Sequence, residues 1–481
     1  MRNIVLTLFI LFFTVSIKAQ HALNEKYLAP QDPLVQKKLE HWQGLKFGLF
    51  MHWGTYSQWG IVESWSLCPE DEEWCKRENE FSSNYFEYVK AYENLQTTFN
   101  PINFKPERWV EAAKDAGMKY VVFTTKHHDG FCMFDTKQTD YKVTSDKCPF
   151  SVHPGSNITK EIFDVFRREN FLIGAYFSKP DWNSDLYWWR YFPPKNRNVS
   201  YDISKYPDRW GRFKEFTFNQ IEELMTSYGK VDILWLDGGW VRPISSIDST
   251  IVRQRGIKND QDIDMKRIAS MARAQQSGIL VVDRTVSGEF ENYVTPEQTV
   301  PERPLGIPWE SCITMGDSWS YVPYDRYKSA SQLIHLLINI VSKGGNLLLN
   351  IGPSPQGDWD ETAYERLREI GVWMKVNGTA IYDSEPLPPY SIDNMIFAAS
   401  KDKRRKYIYI LSEHGQDHVY LPEKIEIKGF EVGKGVTIEI LNKEDTKLKW
   451  VEENGKLVIY VPQYLVGKPV GKYAVVLKVI T

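Results

Sequence analysis

Short apolar runs alternate with longer amphipathic stretches from Lys46 to about Asp383, and this alternation restricts the possible folds most. The apolar runs are continuous and rich in β-branched and aromatic residues, which is typical of parallel strands buried on both faces. The predicted strands are Lys46–Trp53, Lys119–Lys126, Phe171–Ser178, Val231–Asp237, Gly278–Arg284 and Asn346–Gly352. The predicted helices are Pro106–Ala116, Lys160–Glu169, Arg209–Tyr228, Asp264–Gln276, Tyr327–Ser342 and Glu361–Val376. Six or seven such units predict a (β/α)₈-like barrel, with a doubly wound open sheet as the alternative.

The pattern changes after Pro386, where apolar residues occupy every second position of short runs separated by Gly, Asn and Asp. This period is typical of antiparallel strands, and about a hundred residues suit one small β-sandwich. The prolines from Pro386 to Pro389 mark the linker. Because 481 residues exceed what one core usually serves, we predict a barrel domain over residues 21–384 and a β-sandwich domain over residues 385–481.

The first twenty residues resemble a secretory signal peptide. Arg2 precedes an apolar run from Ile4 to Ile17, and Ala19 is a small residue suited to cleavage. The alternative is a membrane anchor, but the run is shorter than the roughly 20 apolar residues that a spanning helix needs. We therefore predict cleavage of residues 1–20, export to the periplasm or the exterior, and no membrane insertion of the mature chain.

Composition argues against several classes of partner. The 59 basic and 62 acidic residues give a formal net charge of -3 without long runs of either sign, so neither nucleic acid nor an anionic membrane is an expected partner. Aromatic residues make up 14% of the chain, and flat rings suit both a protein core and the apolar faces of sugars. The five cysteines do not form a disulfide framework, although a bridge between Cys68 and Cys75 is conceivable.

Polar residues follow the predicted barrel strands at their carboxyl ends, where working residues of such barrels lie. These residues are His52 and Trp53, His127, His128 and Asp129, Tyr176, Asp181 and Trp182, Trp235, Asp237 and Trp240, and Asp283 and Arg284. Each alone is better explained as a capping aspartate or a core residue than as a functional one. Five strand ends of the same character predict one polar site.

Asp237 is the strongest candidate for a catalytic group in that site. It ends the apolar strand VDILWLD, and Gly238 and Gly239 leave its approach open. A carboxylate among His, Trp and Tyr suits glycoside cleavage, which needs a second carboxyl group to protonate the leaving oxygen. The loop after the fifth predicted strand offers four glutamates, and the pattern does not choose among Glu289, Glu291, Glu297 and Glu302.

Five motifs occur in consistent order between Trp42 and Asp383: KFGLFMHWG, KHHDGFCMFD, WLDGG, VVDRT with TPE downstream, and VSKGGNLLLNIGP. Together they resemble glycoside hydrolase family 29, the α-L-fucosidases. The resemblance implies a barrel followed by a β-sandwich, no cofactor or metal, and fucosylated oligosaccharides or glycoconjugates as substrates. It also implies a retaining, exo-acting enzyme that releases L-fucose by double displacement.

The resemblance places the nucleophile at Asp237 and the acid/base at Glu297, with Glu291 as the runner-up. The implied sugar contacts are His52, His127, His128, Tyr176, Trp235 and Arg284. Relatives also use a Glu and a Trp from the loop after the first strand. We expect these to be Glu63 with Trp65, and Glu73 with Trp74 is the alternative pair.

Two other functions stay open at this point. A metal-dependent barrel hydrolase would use His52, His127, His128 and Asp237 as ligands. Adjacent strand residues point to opposite faces, so His127 and His128 are expected to chelate one ion poorly. The other alternative is a carbohydrate-binding relative without turnover, against which the retained Asp237 argues.

Overall fold

The computed structural model describes residues 27–69, 75–433, 435–441, 443 and 446–480, so the predicted signal peptide lies outside the described residues. Seven parallel strands form the first sheet. They are β1 (Phe47–Met51), β2 (Tyr120–Lys126), β3 (Leu172–Ser178), β4 (Ile233–Asp237), β5 (Leu280–Asp283), β6 (Glu310–Thr314) and β7 (Asn346–Asn350). The strand order is β5-β4-β3-β2-β1-β7-β6, which follows the chain around a nearly closed barrel. The predicted barrel is confirmed, and the doubly wound alternative is wrong because the order contains no reversal point.

The barrel has a seam between β5 and β6, which do not pair directly. Residues 290–298, here named the seam segment, lie in this gap. On one side the Asn292 N–H donates to the Val281 carbonyl oxygen (3.0 Å). On the other side the segment forms single parallel bridges from Val294 to Trp309 and from Glu297 to Cys312. Backbone hydrogen bonds on both flanks therefore hold the segment that carries Glu297.

The helices of the first domain are α1 (Pro33–Leu45), α2 (Tyr85–Glu93), α3 (Pro106–Asp115), α4 (Ile158–Arg168), α5 (Pro207–Ser227), α6 (Ser249–Arg255), α7 (Met265–Gln275), α8 (Ala330–Val341) and α9 (Glu361–Ile381). Most of them follow the barrel strands, whereas α1 packs its buried Val35, Leu39 and Trp42 into the cluster of inward-facing side chains and so closes one end of the barrel. Residues that favour the first turn of a helix explain where several of these helices begin. Pro is the first residue of α3 and α5, and a capping box of Ser329 and Gln332 begins α8. None of the helices in the described ranges combines the length and apolar character needed to cross a bilayer.

The remaining strands are antiparallel and form the second domain. They are β8 (Ser384–Ile392), β9 (Met395–Ser400), β10 (Arg405–Leu411), β11 (His418–Tyr420), β12 (Lys424–Lys428), β13 (Thr437–Ile440), β14 (Lys447–Glu453), β15 (Lys456–Tyr460), β16 (Pro469–Lys472) and β17 (Ala474–Ile480). One sheet has the order β12-β15-β14-β13-β17-β10-β9-β8, and β11 pairs with β16. Ile427 of β12 shares one buried cluster with Ile408 of β10 and Leu477 of β17, so the sheet folds over on itself, as predicted for a sandwich.

The second domain packs on α8 and α9 of the barrel. The Trp373 indole N–H donates to the Ala474 carbonyl oxygen (3.0 Å), and His335 Nε2 lies 2.7 Å from the Tyr473 carbonyl oxygen. Tyr409 belongs to the hydrophobic cluster of the barrel, and its hydroxyl donates to the Ala380 carbonyl oxygen. Buried contacts of this kind support a bracing role for the second domain.

Packing of β1 against β2 gives a test of this architecture. An added Cβ at Gly48 would lie 2.4 Å from Cζ of Tyr120, whose buried hydroxyl is bound to Glu310 and so cannot move aside cheaply. Gly48→Ala should therefore destabilise the protein by about 1–3 kcal/mol in chemical denaturation. Gly211→Ala in α5 is the control, since nothing lies within 4 Å of its added Cβ. It should stabilise by about 0.5–1 kcal/mol, and equal effects of the two substitutions would contradict the packing.

Candidate active site

A cavity of about 980 Å³ opens at the carboxyl ends of the barrel strands. The structure brings together there all ten residues predicted as the catalytic or sugar-binding set: His52, Glu63, Trp65, His127, His128, Tyr176, Trp235, Asp237, Arg284 and Glu297. They come from the ends of β1 to β5, from the loop after β1 and from the seam segment. The roles of these residues remain predictions, but the structure shows that all ten line one cavity.

Asp237 is the last residue of β4, and its carboxylate accepts hydrogen bonds from three donors. Oδ2 accepts a hydrogen bond from the Tyr176 hydroxyl (2.8 Å), and Oδ1 accepts from the Gly238 N–H (2.7 Å) and from Arg284 (3.2 Å). His128 Nε2 lies 3.8 Å from Oδ2. Burial opposes ionisation most strongly, yet Arg284, His128 and the two hydrogen-bond donors together hold the pKa of Asp237 below its ordinary value. The carboxylate is therefore ionised and fixed in orientation.

Arg284 connects Asp237 with Glu297. One terminal nitrogen of its guanidinium contacts Asp237, and the other forms an ion pair with Glu297. The Glu297 side chain is 43% exposed and faces the open part of the cavity. One planar cation thus places both carboxyl groups on the same side of the site.

The other loop glutamates occupy different surroundings. Glu291 is 2% exposed and does not line the cavity. Its Oε1 accepts the Thr285 N–H (3.0 Å), and burial raises its pKa to about 7. Glu289 is exposed outside the cavity, while Glu302 lies on its outer wall. The structure therefore argues against Glu291, the runner-up for the acid/base, because it has no access to a bound sugar.

The hydrogen bonds of His52 and His128 define which ring nitrogen carries the proton. The Ser178 hydroxyl donates to the Pro180 carbonyl oxygen (2.8 Å), so its oxygen accepts from Nδ1–H of His128 (2.7 Å). Asn350 donates through Nδ2 to a carbonyl oxygen, so its Oδ1 accepts from Nδ1–H of His52 (2.8 Å). Both rings then present an unprotonated Nε2, which accepts hydrogen bonds from ligand hydroxyls.

Burial keeps these rings neutral. It lowers the pKa of His52 and of His128 to about 4, against the opposing effect of the Asp237 carboxylate. It also lowers the pKa of His127 well below its ordinary value, with help from the two neighbouring histidines. His127 Nδ1 lies 2.5 Å from Ser64 Oγ. Three neutral imidazoles therefore line the cavity beside one ionised carboxylate.

The expected geometry of the adjacent His pair is wrong. His127 and His128 follow β2 instead of lying within it, so strand alternation does not apply and both rings face the cavity, with centroids 4.2 Å apart. Ligand atoms of His127, His128 and Asp237 lie within 4.8 Å of one another, close enough to surround a metal ion. However, Arg284 donates to the same carboxylate at 3.2 Å and would repel a cation bound there. The donor set fits a metal poorly for that reason.

Glu63 and Trp65 come from the loop after β1, and both line the cavity. Glu63 is 1% exposed, and its Oε1 has no hydrogen-bond partner in the described structure. Burial raises its pKa well above the ordinary value, with a further contribution from Glu297. Glu63 is therefore a neutral acid that can donate to a ligand oxygen. The alternative pair, Glu73 with Trp74, lies outside the described residues.

The remaining polar strand-end residues have structural partners. Asp283 forms a buried ion pair with Lys179, and Asp181 forms one with Lys126. Asp129 accepts a hydrogen bond from Tyr92 (2.9 Å). These three aspartates at the strand ends are therefore structural residues, which is the alternative that the sequence analysis had kept for each candidate.

Several residues of the site were not predicted. Trp319 lines the cavity and lies in the loop after β6, a strand that the sequence analysis missed. Asn350 orients His52 from the end of β7. Glu310 lies beneath the cavity, where it accepts hydrogen bonds from Trp235 (3.3 Å) and Tyr120 (2.7 Å). The polar ends of NLLLN contained a signal for Asn350, whereas nothing in the local pattern pointed to Glu310.

A nearly closed barrel that combines two carboxyl groups, neutral histidines and aromatic walls at the ends of its strands defines a glycoside hydrolase. Comparisons with known proteins specify the family. A family model described as alpha-L-fucosidase matches residues 14–379. The chain therefore belongs to the α-L-fucosidase family, glycoside hydrolase family 29.

Individual relatives agree with this assignment. An alpha-L-fucosidase of Dictyostelium discoideum is 27% identical over 415 residues, which are 82% of this chain and 81% of the relative. The structure resembles alpha-L-fucosidase isoenzyme 1 from Paenibacillus thiaminolyticus with a TM-score of 0.72 and 26% identity, over 93% of this chain and 99% of that one. It also resembles the Thermotoga maritima alpha-fucosidase in complex with fucose, with a TM-score of 0.69 and 26% identity, over 91% and 96% of the two chains.

The neutral histidines predict how ligand binding depends on pH. Protonation of Nε2 removes an acceptor, and the pKa of His52 and His128 is about 4. The affinity for L-fucose should therefore be constant from roughly pH 7 to 5.5 and should fall below roughly pH 4.5. Isothermal titration calorimetry measures it, with circular dichroism at each pH to verify folding. A decrease centred near pH 6.5, the ordinary value for histidine, would contradict the assignment.

Proposed function

We propose that this protein is a retaining, exo-acting α-L-fucosidase that releases L-fucose from fucosylated glycans by double displacement. One observation carries the proposal: a single guanidinium, Arg284, holds the ionised Asp237 at the end of β4 and reaches Glu297 on the seam segment. Retaining glycosidases use two such carboxyl groups about 5–5.5 Å apart. The family membership of the chain supplies the substrate class.

Asp237 is the nucleophile in this proposal. Its carboxylate attacks the anomeric carbon of an α-linked L-fucose, and the glycosidic bond breaks as Glu297 donates a proton to the departing oxygen. A covalent fucosyl-enzyme results. Glu297, now a carboxylate, then removes a proton from water, which attacks the anomeric carbon and releases Asp237. Two inversions at one carbon leave its configuration unchanged.

The surroundings of Asp237 suit the first step. Tyr176 and Gly238 fix the direction of the carboxylate, and Arg284 keeps it ionised despite its burial. Positioning of this kind lowers the barrier because little reorganisation is needed on the way to the transition state. Before the first step, Glu297 has to leave its ion pair with Arg284 and take up a proton from solvent, to which its 43% exposed side chain has access.

The walls of the cavity suit a terminal 6-deoxy sugar. Nε2 of His52 and of His128 accepts hydrogen bonds from sugar hydroxyls, while the neutral Glu63 donates. Phe50, Trp235 and Trp319 provide apolar rings for the methyl group at C5. The Thermotoga maritima relative was solved in complex with fucose, which supports the same use of the cavity here. Buried aromatic residues close its floor, so one terminal residue enters.

The two carboxyl variants test the mechanism. Asp237→Gly should lower kcat by about 10⁴-fold or more, and azide should restore turnover of an aryl α-L-fucoside with formation of the β-fucosyl azide. Glu297→Gln should lower kcat about 10²–10⁴-fold on oligosaccharides and much less on substrates with activated leaving groups. Steady-state kinetics and NMR of the products measure both effects.

The same assays separate the alternatives. Full activity of the wild-type enzyme after treatment with a strong chelator would dismiss a metal-dependent reaction. The absence of turnover on every fucoside, together with binding of fucose, would indicate a carbohydrate-binding relative instead. A wild-type rate in Asp237→Gly would refute Asp237 as the nucleophile.

We also propose export to the periplasm or the exterior, which the sequence of residues 1–20 supports. Expression of the full chain in a bacterial host should give a mature protein that begins near residue 21, as determined by N-terminal sequencing of the extracytoplasmic fraction. Deletion of residues 1–20 should leave the protein in the cytoplasm. An intact N-terminus on the exported protein would contradict cleavage.

A further inference from the structure

Thr285 follows Arg284 directly and has an unusual backbone conformation. Its φ is 64°, in the left-handed region that residues other than Gly, Asn and Asp rarely adopt. The Val286 N–H donates to the Asp283 carbonyl oxygen (3.0 Å), so Thr285 is the third residue of a tight turn, where a positive φ favours glycine. Contacts outside the turn are needed to keep a threonine there.

Two charged side chains supply such contacts to the backbone of Thr285. Glu291 Oε1 accepts its N–H (3.0 Å), and a terminal nitrogen of Arg242 donates to its carbonyl oxygen (3.1 Å). Glu291 lies on the seam segment, whereas Arg242 lies in the loop after β4. The N–H and the carbonyl oxygen of Thr285 are thus both hydrogen-bonded to side chains from other loops of the barrel.

The side chain of Thr285 adds a third contact. A Cβ placed on Gly239 would lie 1.8 Å from Thr285 Oγ1 and 3.0 Å from the Arg284 carbonyl oxygen. The loop after the nucleophile strand therefore packs directly against this turn. Gly239 therefore limits movement of Thr285 and of the adjoining Arg284 toward the loop after β4.

We propose that Glu291 and Arg242 are positioning residues that fix Thr285 and, through it, the guanidinium of Arg284. This inference rests on the proposed function, since Arg284 matters here because it orients Asp237 and Glu297. The Arg284 N–H donates to the Leu236 carbonyl oxygen (3.1 Å), which anchors the residue on its other side. The two hydrogen bonds that Glu291 and Arg242 form with the Thr285 backbone are here named the clamp. Together with the Leu236 contact, the clamp holds Arg284 where its guanidinium contacts both carboxyl groups.

The clamp requires an acceptor at position 291 but no charge. Burial raises the pKa of Glu291 to about 7, and the groups that act on it are Thr285, Asp283, Arg284 and Lys179. Tyr27 and Arg242 also interact with it electrostatically. A carboxylate and a carboxylic acid both retain an oxygen that accepts the Thr285 N–H, as does the amide of glutamine.

The experiment compares Glu291→Gln with Glu291→Leu on an aryl α-L-fucoside over a range of pH. Glu291→Gln should stay within about threefold of wild-type kcat, whereas Glu291→Leu should lose about 10–100-fold in kcat with a smaller change in KM. The acid limb of kcat/KM should move to higher pH in Glu291→Leu but not in Glu291→Gln, because a displaced Arg284 no longer stabilises the Asp237 carboxylate.

Glu289→Ala is the matched control, since it removes an exposed carboxylate from the same loop, and it should behave as wild type. Arg242→Met removes the other half of the clamp and should reproduce the loss of kcat and the shift of the acid limb. If circular dichroism and thermal unfolding show that Glu291→Leu does not fold, Arg242→Met replaces it as the test variant.

Wild-type kcat and an unshifted acid limb in folded Glu291→Leu or Arg242→Met would overturn the proposal. An equal loss in Glu291→Gln and Glu291→Leu, with rescue of both by azide, would also overturn it and would identify Glu291 as the acid/base. The proposed mechanism fails on different variants, those of Asp237 and Glu297, so the two failures are distinguishable.

Discussion

The contact of one guanidinium with two carboxyl groups is the interaction on which the site depends. Arg284 keeps the buried Asp237 ionised and brings Glu297 to the same side of the cavity. An ionised carboxylate is costly to bury without such a partner. Burial is the main reason why the neighbouring histidines are neutral, and the positive charge of Arg284 adds to the lowering of the pKa of His52 and His128.

Two buried ion pairs connect strand ends outside the cavity. The buried ion pair of Lys179 with Asp283 connects the end of β3 to the end of β5, and that of Lys126 with Asp181 connects β2 to the loop after β3. Neither pair lines the cavity. Their positions fix the relative height of the strand ends, so that Tyr176, Asp237 and Arg284 meet.

The sequence predicted the barrel well because most of its strands are continuous apolar runs, as in Ile233–Asp237, and because strand order in such a barrel follows chain order. It missed β6, whose five residues include three polar ones, and with it Trp319. The choice between Glu291 and Glu297 depended on how the seam segment folds. Both lie on one irregular segment, and only the folded structure shows that Glu297 lines the cavity whereas Glu291 is buried away from it. The side chains that orient the histidines come from remote parts of the chain, and no local pattern identifies them.

The seam of the barrel has a consequence for how enzymes of this architecture can diversify. Asp237 belongs to a regular strand with hydrogen-bonded neighbours on both sides, so its location cannot vary without disturbing the sheet. Glu297 belongs to a stretch that is joined to the barrel by single bridges, and irregular backbone of this kind tolerates insertions and altered paths. In the proposed mechanism, Glu297 can therefore be repositioned for leaving groups of different size and branching while the attacking carboxylate of Asp237 stays where it is.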